Sequence, residues 1–100
     1  MSRITLLPME QLSLDRIQQI GLTAARSIAG AKVKALKVRS SIDSSDNPAY
    51  YLAFLADRDQ AGQAELGIRI AMKVRDDLIE NGDSTYPFVR LLAEDEWERQ

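Results

Sequence analysis

The spacing of apolar and polar positions changes several times along the chain, and each change marks an element. From Leu14 onward apolar groups recur every three or four residues, at Leu14, Ile17, Ile20 or Gly21, Ala24 and Ile28, which is the spacing of one face of a helix. Ser13 stands at the N-cap position, Asp15 falls in the first turn where negative charge is favoured, and Gly30 supplies the stop. Arg16, Gln18, Gln19 and Arg26 make a solvated outer face. From Lys32 the period falls to two: Leu36, Val38, Ser40 and Ile42 point one way, and Lys37, Arg39, Ser41 and Asp43 the other. Val33 and Ala35 alternate in the opposite phase, so the pattern predicts a slip near Ala35 and Leu36, with a bulge or a late strand start there. The turn formers Ser44-Ser45-Asp46-Asn47-Pro48 close a hairpin.

The second strand, Ala49 to Asp57, is apolar on both phases: Tyr50, Leu52, Phe54 and Ala56 on one, Ala49, Tyr51, Ala53 and Leu55 on the other. A two-helix layer covers only one face, so the second face or the edge of this strand is expected to meet another chain, unless Ala49, Ala53 and a Tyr ring simply form a partly exposed surface. Gln60 to Asn81 reads as one long helix with Leu66, Ile70, Val74 and Leu78 on its ridge, flanked by Gly67, Ala71 and Met72, capped by Asp57 or Asp59 and stopped by Gly82. Gly67 reads as a small residue that admits close helix-to-sheet approach. Tyr86 to Leu92 suits a third strand with Pro87 near its entry, and the acidic tail around Trp97 suits a closing helical turn.

The predicted fold is therefore α+β, in the order α-β-β-α-β. A three-stranded mixed sheet of order 2-1-3 carries both helices on one face and leaves the other face open. The whole chain, 1–100, reads as a single domain with a core at 13–92, a short N-terminal segment 1–12 and an acidic tail 93–100.

Composition narrows the chemistry. The 100 residues include neither Cys nor His, which excludes a disulfide framework, thiolate or imidazole metal sites, and Cys/His or Ser/His/Asp catalysis. Asp43 and Asp46 lie at one end of the second strand and Asp57 and Asp59 at the other, too far apart to share one acid/base or Mg²⁺ site, and turn formation and helix capping explain each pair better. The two glycines of Gly62-Gln63-Ala64-Glu65-Leu66-Gly67 match no phosphate-binding fingerprint in full. No catalytic residue, cofactor or metal is assigned, and the chain reads as non-enzymatic. Too short an apolar run for a signal peptide near Met1, and no window long enough to span a bilayer, make the cytoplasm the expected compartment.

Two binding modes remain. In the first, the chain self-associates or binds a partner protein through its second strand and open sheet face, with Tyr50, Tyr51, Ala53 and Leu55 as the contact residues. In the alternative, the basic residues Lys32, Lys34, Lys37 and Arg39, beside the tyrosines, bind RNA or DNA. A net charge of -2 works against the latter, and a solvated strand face whose lysines discourage edge pairing accounts for the same residues. The α-β-β-α-β order matches RNA-binding folds of the KH kind in topology, but no Gly-x-x-Gly loop occurs.

The runs Val38 to Asp43, Asn47 to Tyr51, Val74 to Leu78 and Tyr86 to Val89 resemble a group of short, uncharacterised bacterial proteins, some encoded beside HEPN-type or nucleotidyltransferase-type partners. The resemblance spans roughly residues 36 to 92 and implies a partner-dependent or toxin-antitoxin-like role. It transfers no catalytic residue.

Overall fold

The computed structural model describes residues 12–99. Except for Leu12, the expected N-terminal segment lies outside them, as does Gln100 of the tail.

Helix α1 runs Leu14–Ala29, and a 3₁₀ turn, Gly30–Lys32, leads into β1, Val33–Ile42. The Ser13 hydroxyl caps α1 by accepting from the Arg16 N–H at 3.1 Å, and Gly30 ends it with φ of 66°, a left-handed value that glycine adopts without strain. The hairpin turn is built by Asp43, whose carboxylate accepts from the N–H groups of Ser45 and Asn47. Strand β2 spans Pro48–Ala56.

The helix expected over residues 60–81 divides in two. A short helix α2, Arg58–Ala61, precedes the main helix α3, Ala64–Glu80, and Gly62 sits between them. Neither aspartate caps α3: its N-cap is Gln63, with no side-chain cap bond, while Asp57 stands ahead of α2. Strand β3 covers Tyr86–Leu92, and the acidic tail forms the helical turn α4, Glu94–Trp97.

The α+β class, the element order and the mixed sheet are as the pattern implies. The strand order is not. It is β1-β2-β3, with β1 and β2 antiparallel and β2 and β3 parallel, instead of the expected 2-1-3. The reason lies in β2 itself, since the strand that is apolar on both phases is the one that gains most from a central position, with a neighbour on each side. Helix α1 packs on β1, α3 packs on β3, and the two helices pack against each other above β2. Tyr50, Leu52 and Phe54 of β2 are thereby buried with Ile17, Ile20 and Ala24 of α1 and Ile70, Val74 and Leu78 of α3.

The register of β1 against β2 shifts between Val33 and Ala35, the slip that the change of phase predicts. Close approach of helix to sheet occurs at Gly21, where an added Cβ would lie 2.7 Å from Leu36 Cδ2, and not at Gly67, where it would meet none of the described residues within 4 Å. Ile42 and Met72, placed by their spacing with or beside core residues, are exposed. No helix among the described residues is long and apolar enough to cross a membrane.

Candidate functional site: the open sheet face and the flank of β3

The face of the sheet turned away from α1 and α3 is assembled in rows by the strand register. One row is Lys37, Ala53 and Arg90; the next is Arg39, Tyr51 and Phe88. In the second row the Arg39 guanidinium lies 5.2 Å from the centre of the Tyr51 ring, which stacks on Phe88 at 5.2 Å, and Tyr86 meets Phe88 edge-on at 4.8 Å. Each ring removes apolar surface of the next from water and gains a favourable quadrupolar contact. Between the two rows lies a hollow of about 310 Å³, with Lys37, Arg39 and Arg90 around it and no acidic side chain among the described residues that line it.

One side of this face is not open. Helix α4 packs on β2 and β3, and the Lys37 ammonium sits 4.4 Å from the centre of the Trp97 ring while donating a hydrogen bond to the Trp97 carbonyl at 3.2 Å. Leu92 and Ala93 are buried.

Of the residues expected to meet a partner, Tyr51, Ala53 and Leu55 lie half-buried on this face. Tyr50 does not. It is 1% exposed on the helix-covered side, and its hydroxyl donates to the Asp83 carboxylate. The edge of β2 is also closed, because both of its sides are paired. Its two-sided apolarity is thus largely met within the chain, by Arg39 and Phe88 beside Tyr51 and by a central place in the sheet.

The basic stretch does not act as one patch. Lys34 falls at the register shift and pairs with Asp57 at 3.0 Å, a contact that raises its pKa, and Lys32 approaches Asp59 at 3.8 Å. These same contacts occupy Asp57 and Asp59, one of the two carboxylate pairs weighed for acid/base or Mg²⁺ chemistry, and Asp43 of the other pair is engaged in its turn. Among the described residues no group of three or more acidic side chains could hold a metal ion. Lys37 and Arg39 do share a face, and the third cation on it, Arg90, comes from β3.

The larger apolar exposure lies on the flank of β3, outside the expected site. Among the described residues no strand lies beside the outer edge of β3. Phe88 and Tyr86 are exposed on its sheet-face side, and on the α3 side Ile68 is 60% and Met72 63% exposed. A groove between α3 and β3, lined by Ala64, Gly67, Ile68, Ala71, Pro87 and Val89, connects them. Pattern reading missed Phe88 and Arg90 as candidates because the 2-1-3 order puts β3 beside β1, away from Tyr51, and it missed Ile68 because the helical period does not show which flank of the buried α3 ridge the sheet covers. The available signal was the alternation Tyr86, Phe88, Arg90 against Pro87, Val89, Leu91.

The most strongly perturbed titratable groups are structural. Burial, reinforced by the hydrogen bond to Asp83, pushes the Tyr50 hydroxyl up to about 12. Burial also works against ionised Asp83, but hydrogen bonds from Thr85, Tyr50 and the Leu12 N–H outweigh it, so the pKa of the carboxyl group is lowered.

No family model matches the chain, and no curated protein matches it. Among solved structures it is similar to variants of MamM CTD. A methionine-to-leucine variant is 16% identical, with 81% of this chain and 98% of that one covered and a TM-score of 0.49. A histidine-to-alanine variant is 13% identical, with 82% and 99% covered and a TM-score of 0.48. Likeness at this level carries nothing about this chain's function.

Proposed function

We propose that this chain is a small non-enzymatic interaction module that associates with a second copy of itself through the flank of β3. The observation that carries the reading is the outer edge of β3, unpaired among the described residues and bordered by exposed Phe88 and Tyr86 on one side and by Ile68 and Met72 on the other. An open strand edge with apolar margins is a template for another strand, and the simplest complement is the same edge on a second copy, related by a two-fold axis.

The sequence of α3 supports that choice of partner. If two α3 helices lie antiparallel about a point near Ile70, Ile68 of each faces Met72 of the other, and Glu65 faces Arg75. Apolar side chains then meet apolar ones and opposite charges meet, so the surface is complementary to itself. Two sheets joined at β3 would form one continuous sheet of six strands. This moves the expected contact surface from the second strand to the third.

Size-exclusion chromatography with light scattering on the unmodified chain and on Ile68→Lys and Met72→Lys tests the reading. Both positions are exposed, so the variants keep the fold. The expected result is a dimer that the lysines convert to a monomer. A monomeric parent chain, or a dimer indifferent to both changes, contradicts it. An antitoxin-like role requires a second protein on the same flank, and would show as a heteromeric complex that Met72→Lys abolishes.

A further inference from the structure

The hollow on the open sheet face is separate from the α3 side of the β3 flank, and nothing in the self-association uses its cations. We propose that it binds the phosphate group of a nucleotide, with the base against the Arg39 and Tyr51 rim.

The row Lys37, Ala53, Arg90 sets two cations on either side of an alanine, the small residue between them forming an apolar floor. Arg39 adds a third cation from the adjoining row. Neither arginine forms an ion pair with a carboxylate among the described residues, although the whole chain carries a net charge of -2. Three cations gathered on one face of an acidic protein create a local positive field against the mean. Two of them are guanidinium groups, whose planar forks match the oxygens of a phosphate in a way an ammonium does not.

The Lys37 ammonium already holds an oxygen acceptor, the Trp97 carbonyl. The chain's own C-terminal turn therefore occupies one corner of the hollow, and a phosphate oxygen entering there takes over the bond that the carbonyl accepts. A volume of about 310 Å³ is at the lower end for small-molecule sites, the scale of one nucleotide unit rather than of a folded partner. Arg39, already laid over Tyr51, offers a guanidinium plane on which a base can stack. A free mononucleotide and one unit of a single strand present the same chemistry.

Trp97 is the only tryptophan, and it touches the ligand-binding lysine, so its fluorescence reports on the site. The probes are uridine monophosphate, a short oligouridylate, uridine without phosphate, and a polyglutamate peptide, each titrated at low salt and followed by fluorescence and by calorimetry. The expected result is a saturable change with uridine monophosphate or the oligonucleotide, weakened by salt, and a tenfold or greater loss of affinity in Arg90→Gln and Arg39→Gln. Met72→Lys is expected to leave the affinity unchanged, which separates this site from self-association. Tight binding by the oligonucleotide with little by the monophosphate places the site on a strand; comparable binding per site places it on free nucleotide. No saturable binding by either, binding indifferent to both arginine variants, or equal binding by polyglutamate or uridine overturns the proposal.

Discussion

The Tyr50 hydroxyl donates a hydrogen bond to the Asp83 carboxylate, tying the start of the central strand to the turn that launches β3. Asp83 is 2% exposed, and it also accepts from the N–H of Leu12 at 3.0 Å and of Thr85 at 2.9 Å. One buried carboxylate thus organises three segments that are far apart in sequence.

Because a buried carboxylate deprived of a donor loses more than the mean worth of one hydrogen bond, Tyr50→Phe is expected to cost about 1–3 kcal/mol in urea denaturation. Asp83→Ala should cost more, since it leaves the Tyr50 hydroxyl and two backbone N–H groups without their acceptor. Equal stability of Tyr50→Phe and the parent chain would show that the contact contributes nothing.

The same pair predicts sensitivity at both ends of the pH scale. Tyr50, whose pKa rises from 10.0 to about 12 on folding, favours the fold fully below 10, and that contribution is lost as pH rises from 10 toward 12. Asp83, whose pKa is lowered, favours the fold above its ordinary value of 3.8, and that contribution is lost as pH falls through the folded value. Denaturation followed by far-ultraviolet circular dichroism should show stability declining in the alkaline window, with a shallower decline in Tyr50→Phe.

Two glycines should respond to alanine with opposite signs. At Gly21 the new methyl would press on Leu36 at 2.7 Å and Leu52 at 3.2 Å, both buried, so Gly21→Ala should lose about 1–3 kcal/mol despite its better helix propensity. At Gly67 the methyl meets no atom of the described residues within 4 Å, and Gly67→Ala should gain about 0.5–1 kcal/mol from the backbone alone. Thermal melts of the two variants side by side test the assignment of the close approach to α1.

Loss of the Ser13 cap gives a simpler expectation. Ser13→Ala removes the acceptor for the Arg16 N–H and should cost about 1 kcal/mol, while Ser13→Asp, which can still cap, should cost little. Chemical denaturation of both variants is the check.

Period and punctuation made most elements legible. Ser13 and Gly30 bound α1, the phase change at Ala35 announces the bulge, and the Asp43-containing turn is visible in composition. The position of β2 was not legible, because apolar residues on both phases fit an edge meeting another chain as well as a strand with neighbours on each side. The strand order settles this in favour of the second, and with it moves Tyr50 into the core and brings Phe88 and Arg90 beside Tyr51 and Ala53. The exposed stripe of α3 was hidden for a related reason. Met72 follows the buried ridge closely in sequence, and only the width of the sheet under α3 decides which side of that ridge is covered.

Amide hydrogen exchange, resolved residue by residue over a range of protein concentrations, tests the account most directly, because a β3–β3 junction must protect backbone N–H groups that a solitary edge leaves to water. Protection of β3 amides should rise with concentration while that of β1, the opposite edge, stays constant. Exchange in β3 that is independent of concentration, or a rise confined to β1, contradicts the assignment of the flank of β3 as the surface through which this chain associates.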